Sequence, residues 1–208
     1  MNAQTGLTAI SVRGSEALAR LMAYRDVHRV LDVGSGSGDH ARIMRAAGMQ
    51  VVTVSYESPA DHVCDYVGNR EIGGGFDAIW ASHVLEHQPN VGAFLRQCFR
   101  DLRDDGVLAV TVPPAKPEIV GGHLTTWNAG LLLYNLIVAG FDCREASVSG
   151  CYSSGPGYQP YNISVIVRKR PAVLPQLRFD NGDIERLAQF FPCPVQQGFD
   201  GRLSEIRW

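Results

Sequence analysis

The chain has 208 residues, of which 45% are hydrophobic, and a formal net charge of −2, values typical of a globular domain with a substantial buried core. Because no basic stretch is present, a nucleic acid is disfavoured as substrate or partner. The most apolar helical pattern, at residues 129–139, is too short to cross a bilayer and contains Asn135, so no membrane span is expected.

The N-terminal part of the chain predicts one amphipathic helix at residues 15–24, with apolar side chains at helical spacing behind a Ser-Glu start. Residues 1–12 lack the basic start and the apolar core of a secretory signal. The five cysteines are odd in number and widely spaced, as expected for reduced thiols. These features predict a cytoplasmic protein.

A glycine-rich turn in residues 30–48, VLDVGSGSGDHARIMRAAG, is the most informative feature of the sequence. A short apolar run containing Asp32 predicts a strand, and the pattern after the turn predicts a helix. Gly34, Gly36 and Gly38 lie at every second position of the segment that joins these two elements. Because glycine permits unusual dihedral angles and close approach, the turn predicts a site where a ligand lies against bare backbone.

The spacing of the glycines bears on the class of ligand. The dinucleotide pattern G-x-G-x-x-G requires a third glycine where this chain has Asp39, and the phosphate loop G-x-x-x-x-G-K-[ST] is absent. An acidic residue directly after the turn would also compete with a pyrophosphate for the helix N-terminus. The turn therefore favours a ligand without phosphate, and an NAD-linked oxidoreductase stays a weaker alternative.

Strand and helix patterns alternate through the rest of the chain. Further strands are predicted at residues 51–54, 61–65, 76–82 and 107–112. A helix is predicted at 91–102, closed by the Asp-Asp-Gly at 104–106. This alternation predicts an α/β fold with a doubly wound sheet and helices on both faces, and ligands bind such sheets at the carboxyl ends of the strands.

Three segments in order carry a family resemblance. The D-x-G-x-G-x-G turn, the FDAIWASHVLEH segment and the FLRQCFRDLRDDGVLAVTVPP segment resemble the class I S-adenosyl-L-methionine (SAM)-dependent methyltransferases over residues 28–170. The resemblance implies a seven-stranded, mostly parallel sheet of order 3-2-1-4-5-7-6 with strand 7 antiparallel. It also implies a further helix at 127–140 and a last strand at 161–168. We therefore expect an N-terminal helical lid at 1–27, a SAM-binding domain at 28–170 and a C-terminal appendage at 171–208.

The resemblance also implies which residues hold the cofactor. Asp32 would orient the glycine turn and reach the amino group of SAM through water, or only cap the turn. Gly34, Gly36 and Gly38 would let the backbone meet the methionine portion and the ribose. Asp65 would accept a hydrogen bond from the adenine amino group, unless it is a plain loop aspartate.

One position departs from the family pattern. The family usually has an acid at the end of strand two, where it holds both ribose hydroxyls, and this chain has Ser55 there. Either Glu57 takes over that role, which we favour, or SAM binding is weak or absent. Ser82, at the end of the fourth strand, is a further candidate on the same edge of the sheet.

The spacing His83-x-x-Glu86-His87 after the fourth strand permits several interpretations. It matches an inverted zinc-protease motif, but that motif needs a helix, and Pro89 interrupts one. In some ubiquinone-pathway O-methyltransferases E-x-x-E-H at this place binds magnesium, for which His83 is a softer and less suitable ligand. The simplest interpretation is structural, so no metal is assigned, and a metal at these three residues stays an alternative.

Methyl transfer from a sulfonium requires mainly alignment of the acceptor and exclusion of water. A hydroxyl acceptor must also lose its proton, which favours a histidine, and His83 and His123 are the candidates, with plain solvent-facing loop histidines as the alternative. Aromatic residues that suit a ring are Trp127, Tyr152, Tyr158 and Tyr161. We expect O-methylation of a small molecule or of a sugar or glycan precursor. The alternative is a catalytically silent SAM-fold protein that binds a ligand or a partner. For the oligomeric state, a homodimer stays an alternative to the monomer.

Overall fold

The computed structural model describes residues 14–151 and 162–196, which form one seven-stranded sheet with helices on both faces. The strand order is β3-β2-β1-β4-β5-β7-β6, and β7 pairs antiparallel with both of its neighbours while the other pairs are parallel. The predicted fold class and strand order are therefore confirmed. Tyr152, Tyr158 and Tyr161 lie outside the described residues.

The elements of the N-terminal half are α1 (Ser15–Met22), β1 (Arg29–Val33), α2 (Asp39–Ala46), β2 (Gln50–Ser55), β3 (His62–Val63), β4 (Phe76–Ser82) and a 3-10 helix (Leu85–His87). The elements that follow are α3 (Val91–Asp101), β5 (Leu102–Val112), α4 (Ala129–Val138), β6 (Ser147–Cys151), β7 (Asn162–Arg168), α5 (Asp183–Leu187) and a second 3-10 helix (Ala188–Phe190). Within the described ranges, no helix is long and apolar enough to cross a membrane.

One face of the sheet is covered by α1 and α2. Leu18 and Leu21 of α1 are fully buried against a cluster that includes Trp80 of β4. Burial of a leucine side chain contributes about 1.5–3 kcal/mol, so the predicted apolar stripe attaches this helix to the sheet. The helix from the expected lid segment thus packs as part of this layer, beside the carboxyl edge where β4 ends.

The opposite face is covered by α3 and α4. Asn90 and Asn128 cap these helices, with side-chain oxygens that accept from backbone N–H groups at 2.9 and 2.7 Å. The buried helix residues Phe94, Leu95, Leu132 and Leu136 join one cluster with Leu187 of α5. Part of the expected C-terminal appendage therefore completes the main core.

Strand β5 begins five residues earlier than the sequence pattern predicts. Its first half contains Asp104, Asp105 and Gly106, the residues expected to close α3, and the register against β4 shifts there. Asp105 has a φ of +59°, and a Cβ at Gly106 would lie 2.9 Å from the carbonyl oxygen of Arg103. A bulge rather than a loop accommodates these turn-forming residues.

Strand β3 is shorter than predicted, with two residues where five were expected. The carboxylate of Asp61 accepts hydrogen bonds from the backbone N–H of Thr53 at 2.9 Å and from its hydroxyl at 2.8 Å. A side chain thus takes the place of a strand pair at this position, which shortens the edge strand.

Candidate functional site

The glycine turn joins the end of β1 to the start of α2, and its three glycines have φ angles of +74°, +49° and +75°. A Cβ at Gly34 would lie 2.2 Å from Val84, so packing requires a glycine there. A Cβ at Gly36 or Gly38 would meet no atom within 4 Å. The turn therefore leaves open space above Gly36 and Gly38, as the close approach of a ligand requires.

A cavity of about 160 Å³ opens beside this turn, where β1, β2 and β4 end. We call it the strand-end cavity. Its lining includes Val33, Gly34, Val54, Ser55, Tyr56, Cys64, Asp65, Tyr66, His83, Val84, His87 and Gln88. Apolar and aromatic walls with a few polar groups are typical of a small-molecule site. The structure thus brings together Gly34, Ser55, Asp65 and His83, which the sequence had singled out.

Asp32 lies behind the turn. Its side chain is buried on the face that carries α1 and α2, because side chains alternate along β1 and Val33 belongs to the other face. The atom Oδ2 has no hydrogen-bond partner among the described residues. Burial raises the pKa of Asp32 to about 7, against the opposing effects of the charge of Arg45 and the backbone N–H of Ala41.

The end of β2 places Ser55 in the lining and Glu57 in an exposed turn. The backbone N–H of Glu57 donates to the hydroxyl of Ser55 at 3.4 Å. The predicted substitute acid therefore lies close to the cavity, with its carboxylate in solvent.

Asp65 and Tyr56 form the outer wall of the strand-end cavity. The carboxylate of Asp65 accepts from the backbone N–H of Val67 at 2.9 Å. Partial burial raises the pKa of the Tyr56 phenol, and the charge of Asp65 and a hydrogen bond to it add to that effect. Tyr56 was missed by the sequence analysis, although an aromatic residue directly after a strand end is a signal that could have found it.

Ser82 belongs to the face of the sheet that carries α1 and α2. Its hydroxyl is 2.8 Å from that of Thr111, and a Cβ at Gly14, before α1, would lie 3.3 Å from it. Ser82 thus packs beneath the start of α1, and its contact with a cofactor stays a prediction.

His83 occupies a strained position at the carboxyl edge, with a φ of +55°. Its Nε2 is 3.0 Å from Oδ1 of Asn162, and its Nδ1 is 3.2 Å from Oε1 of Glu86. The backbone N–H of His83 donates to the carbonyl of Thr111 at 2.9 Å. Both ring nitrogens are thus engaged, so the ring accepts a proton from a substrate only if one of these contacts opens.

A second cavity, of about 600 Å³, adjoins His83 on its other side. We call it the loop cavity, because its lining comes mostly from the segment after β5, at residues 113–120 with His123, Thr125 and Thr126. His83 lines both cavities. The two predicted histidines, His83 and His123, therefore face the same large cavity.

The H-x-x-E-H motif forms a 3-10 turn at Leu85–His87 and not a helix, so the helical geometry of an inverted zinc-protease motif is absent. The structure instead gathers Glu86, His87 and His123, whose potential ligand atoms all lie within 4.8 Å of one another. This set replaces His83 of the three residues considered from sequence with His123, which lies far along the chain. The rings of His87 and His123 are edge-on, with centroids 5.0 Å apart.

Comparisons with known proteins agree with this architecture. A family model described as a methyltransferase domain matches residues 10–137. Over 123 residues the chain is 29% identical to the 27-O-demethylrifamycin SV methyltransferase of Amycolatopsis mediterranei (strain S699), a match that covers 50% of this chain and 45% of that protein. Over 97 residues it is 28% identical to the ubiquinone biosynthesis O-methyltransferase of Rhodopseudomonas palustris (strain HaA2), covering 39% and 38% of the two chains. The matches thus span less than half the length of either relative.

The fold is similar to that of a solved structure, the 1,6-didemethyltoxoflavin-N1-methyltransferase of Burkholderia thailandensis with bound 1,6-didemethyltoxoflavin and S-adenosylhomocysteine. The TM-score is 0.61 at 20% identity, and the likeness covers 74% of this chain and 76% of that chain. At this identity the likeness is one of fold.

Proposed function

Because the chain belongs to the family of methyltransferase domains, we propose that it transfers a methyl group from SAM to a hydroxyl of a small molecule or of a sugar or glycan precursor. The observation that carries the proposal is the position of His83, which lines both the strand-end cavity and the loop cavity. Cofactor and acceptor would each occupy one cavity and meet at this residue.

The strand-end cavity, at about 160 Å³, would hold part of the cofactor, and the rest would lie against the open glycine turn. The open space above Gly36 and Gly38 admits a ligand against the backbone, and Ser55 and Asp65 offer hydrogen-bond acceptors at the cavity wall. Glu57 would grip the ribose after a change of rotamer, since it lies in an exposed turn next to Ser55. When bound, SAM supplies a methyl group that is already activated by the positive sulfonium.

The residues of this chain have three tasks in such a reaction. They must align the acceptor oxygen, exclude water and accept the hydroxyl proton. His83 and His123 are the proposed proton acceptors, because both rings line the loop cavity. Asn162 and Glu86 hold the ring of His83 in one orientation, so these two act as positioning residues.

The loop cavity is the proposed acceptor site. At about 600 Å³ it has room for a small molecule or a sugar ring. Lys116 and Glu118 add charged groups to walls that also contain threonine, proline, isoleucine and valine side chains. The proposal also includes a cytoplasmic location and no nucleic-acid partner. For the oligomeric state it retains both the monomer and the homodimer.

A catalytically silent protein with the same fold is the second candidate function. It is favoured by one observation, namely that Ser55 stands at the end of β2 where the family usually has an acid, while Glu57 is exposed. Binding of SAM without transfer to any acceptor would favour this candidate.

Calorimetric titration with SAM and S-adenosylhomocysteine, with NADH as the control ligand, tests the cofactor. We expect both sulfur compounds to bind and NADH not to bind. An acceptor screen that begins with nucleotide sugars and follows labelled methyl groups then tests transfer. No binding of SAM at millimolar concentration would overturn the proposal, and binding of NADH alone would restore the oxidoreductase alternative.

A further inference from the structure

We propose that Glu86, His87 and His123 form a binding site for one divalent transition-metal ion, in the wall between the strand-end cavity and the loop cavity. Each residue offers one ligand atom, and these atoms lie within 4.8 Å of one another. Ligand atoms around a tetrahedral zinc ion are about 3.3 Å apart, so small rotations of the side chains would close the site. His87 lines the strand-end cavity and His123 lines the loop cavity.

The buried carboxylate of Glu86 is the first independent observation in favour of a cation. Glu86 is 1% exposed, and its Oε2 has no hydrogen-bond partner among the described residues. An unsatisfied carboxylate oxygen in the interior is strongly unfavourable unless a cation or donor reaches it. A metal ion bound by the Glu86 carboxylate and the two histidines would balance the buried negative charge of this side chain.

The hydrogen bond of His87 is the second observation. Its Nδ1 is 2.7 Å from the carbonyl oxygen of Gly122, and because a carbonyl only accepts, Nδ1 must carry the proton. The lone pair of the neutral ring then lies on Nε2, which is 4.0 Å from Oε1 of Glu86. In metal sites, the ring nitrogen of a histidine that does not bind the metal commonly donates to a backbone carbonyl, which fixes the orientation of the ring.

The loop that carries His123 is attached to the turn that carries the other two residues. The backbone N–H groups of Leu124 and Thr125 donate to the carbonyl of Glu86 at 2.7 and 3.2 Å. The hydroxyl of Thr125 donates to the carbonyl of Leu85 at 3.3 Å. These bonds hold the two segments in register, so the three ligands stay together although they come from different parts of the chain.

The donor set indicates the class of metal. Two imidazoles and one carboxylate suit Zn²⁺, Co²⁺ or Fe²⁺, whereas Mg²⁺ and Ca²⁺ prefer oxygen donors. Three protein ligands leave at least one coordination position open. If the proposed function holds, the acceptor hydroxyl would take that position from the loop cavity, and the ion would ease the loss of its proton. This role of the ion in the reaction rests on the proposed function, while metal binding does not.

Metal titration of the full chain tests the site. Protein freed of metal by a chelator is titrated with Co²⁺, followed by its visible absorption, and with Zn²⁺, followed by calorimetry. We expect one ion per chain, and Zn²⁺ should bind more tightly than Mg²⁺. His123→Ala and Glu86→Gln should each weaken Zn²⁺ binding about 100-fold or more, since loss of a ligand exceeds the effect of losing its support.

The matched control is His28→Ala, which removes an exposed histidine at the opposite edge of the sheet and should leave Zn²⁺ binding unchanged. Because His123 lies in a surface loop, folding of its variant is checked by thermal denaturation. Zn²⁺ should raise the melting temperature of the natural chain and not that of His123→Ala.

Two outcomes would overturn the metal site, namely no Zn²⁺ binding by the natural chain, or equal Zn²⁺ binding by the natural chain and His123→Ala. S-adenosylhomocysteine is titrated into the same preparations. Its binding without any metal affinity would overturn the metal site alone, and metal affinity without its binding would overturn only the proposed function.

Discussion

The strand-end cavity and the loop cavity meet at His83, but they are built in different ways. The first is formed where parallel strands end, and the pairing of Asp32 with Thr53 and Trp80 sets the positions of those ends. The second is formed mostly by one segment after β5 that lies outside the sheet, and one of its bonds runs from the N–H of Ala115 to the carbonyl of Trp127 at 2.8 Å.

This difference indicates where specificity can change. Alteration of a strand end would disturb the sheet, whereas a loop over a cavity can vary while the core stays intact. The loop carries Ile119, whose side chain is fully exposed, and Leu124, which is 63% exposed. We expect the strand-end cavity to serve the cofactor common to the family and the loop cavity to select the acceptor of this chain.

Gly36→Val should have the largest effect on cofactor binding. A side chain at Gly36 would enter the open space above the turn, so we expect binding of S-adenosylhomocysteine to weaken at least about 100-fold, equal to about 2.8 kcal/mol. Calorimetric titration measures the loss.

Gly48→Val is the matched control, because Gly48 also has a positive φ, +90°, and also has no atom within 4 Å of its Cβ position. Both variants carry a similar backbone strain of about 1–3 kcal/mol. Equal binding by both variants would show that the cofactor does not lie against the turn at Gly36.

The next effect concerns His83, which both cavities share. His83→Asn removes the ring at a residue with positive φ, which asparagine adopts more readily than other residues. We expect methyl transfer to slow by about 10²- to 10⁴-fold, with binding of S-adenosylhomocysteine little changed. An unchanged transfer rate would exclude His83 as the proton acceptor, and the same assay on His123→Ala would then test the other candidate.

Asp32→Asn tests the buried carboxylate behind the glycine turn. Because the pKa of Asp32 is raised from 3.8 to about 7 in the folded chain, the unfolded chain releases this proton first as the pH rises. The natural chain should therefore lose stability between about pH 4 and pH 7, by up to about 4 kcal/mol, and change no further above that range. Asp32→Asn lacks this loss and should be the more stable chain at pH 8.

Urea denaturation at several pH values between 4 and 8 measures this difference. Glu71→Gln, which neutralises an exposed carboxylate away from both cavities, is the control and should show no such trend. A stability difference between the natural chain and Asp32→Asn that does not vary with pH would contradict the raised pKa.

The smallest expected effect is that of Ile119→Ser in the loop cavity. Because this side chain is 100% exposed, the free energy of unfolding should change by less than about 0.5 kcal/mol. Binding of S-adenosylhomocysteine should stay the same, while the KM for the acceptor rises. Weaker cofactor binding in this variant would show that the two cavities are not separate in function.

Much of the fold could be predicted because its signals are local. The apolar run within Phe76–Ser82 marks that strand in full, and helix α3 ends one residue from its predicted end. The errors fall where side chains replace regular pairing. Asp61 bonds to Thr53 and shortens β3, and the bulge around Asp105 turns an expected loop into strand.

The candidate site was predictable only in part. Gly34, Ser55, Asp65 and His83 meet because each lies at or just after the carboxyl end of a neighbouring strand or element. Ser82 precedes His83 by one residue and yet packs on the other face with Thr111, since side chains alternate along a strand. Nothing in the spacing of residues 83–87 pointed to His123 as their neighbour.

The order of elements, the glycine turn and the family could be predicted from the amino-acid sequence, because periodicity and glycine placement act over a few residues. The tertiary structure decided that His123 lies beside Glu86 and His87, and that His83 lies between two cavities. Such contacts depend on the path of the segment after β5. That path depends on long-range hydrogen bonds, such as the one between Leu124 and Glu86, and no local pattern in the chain encodes them.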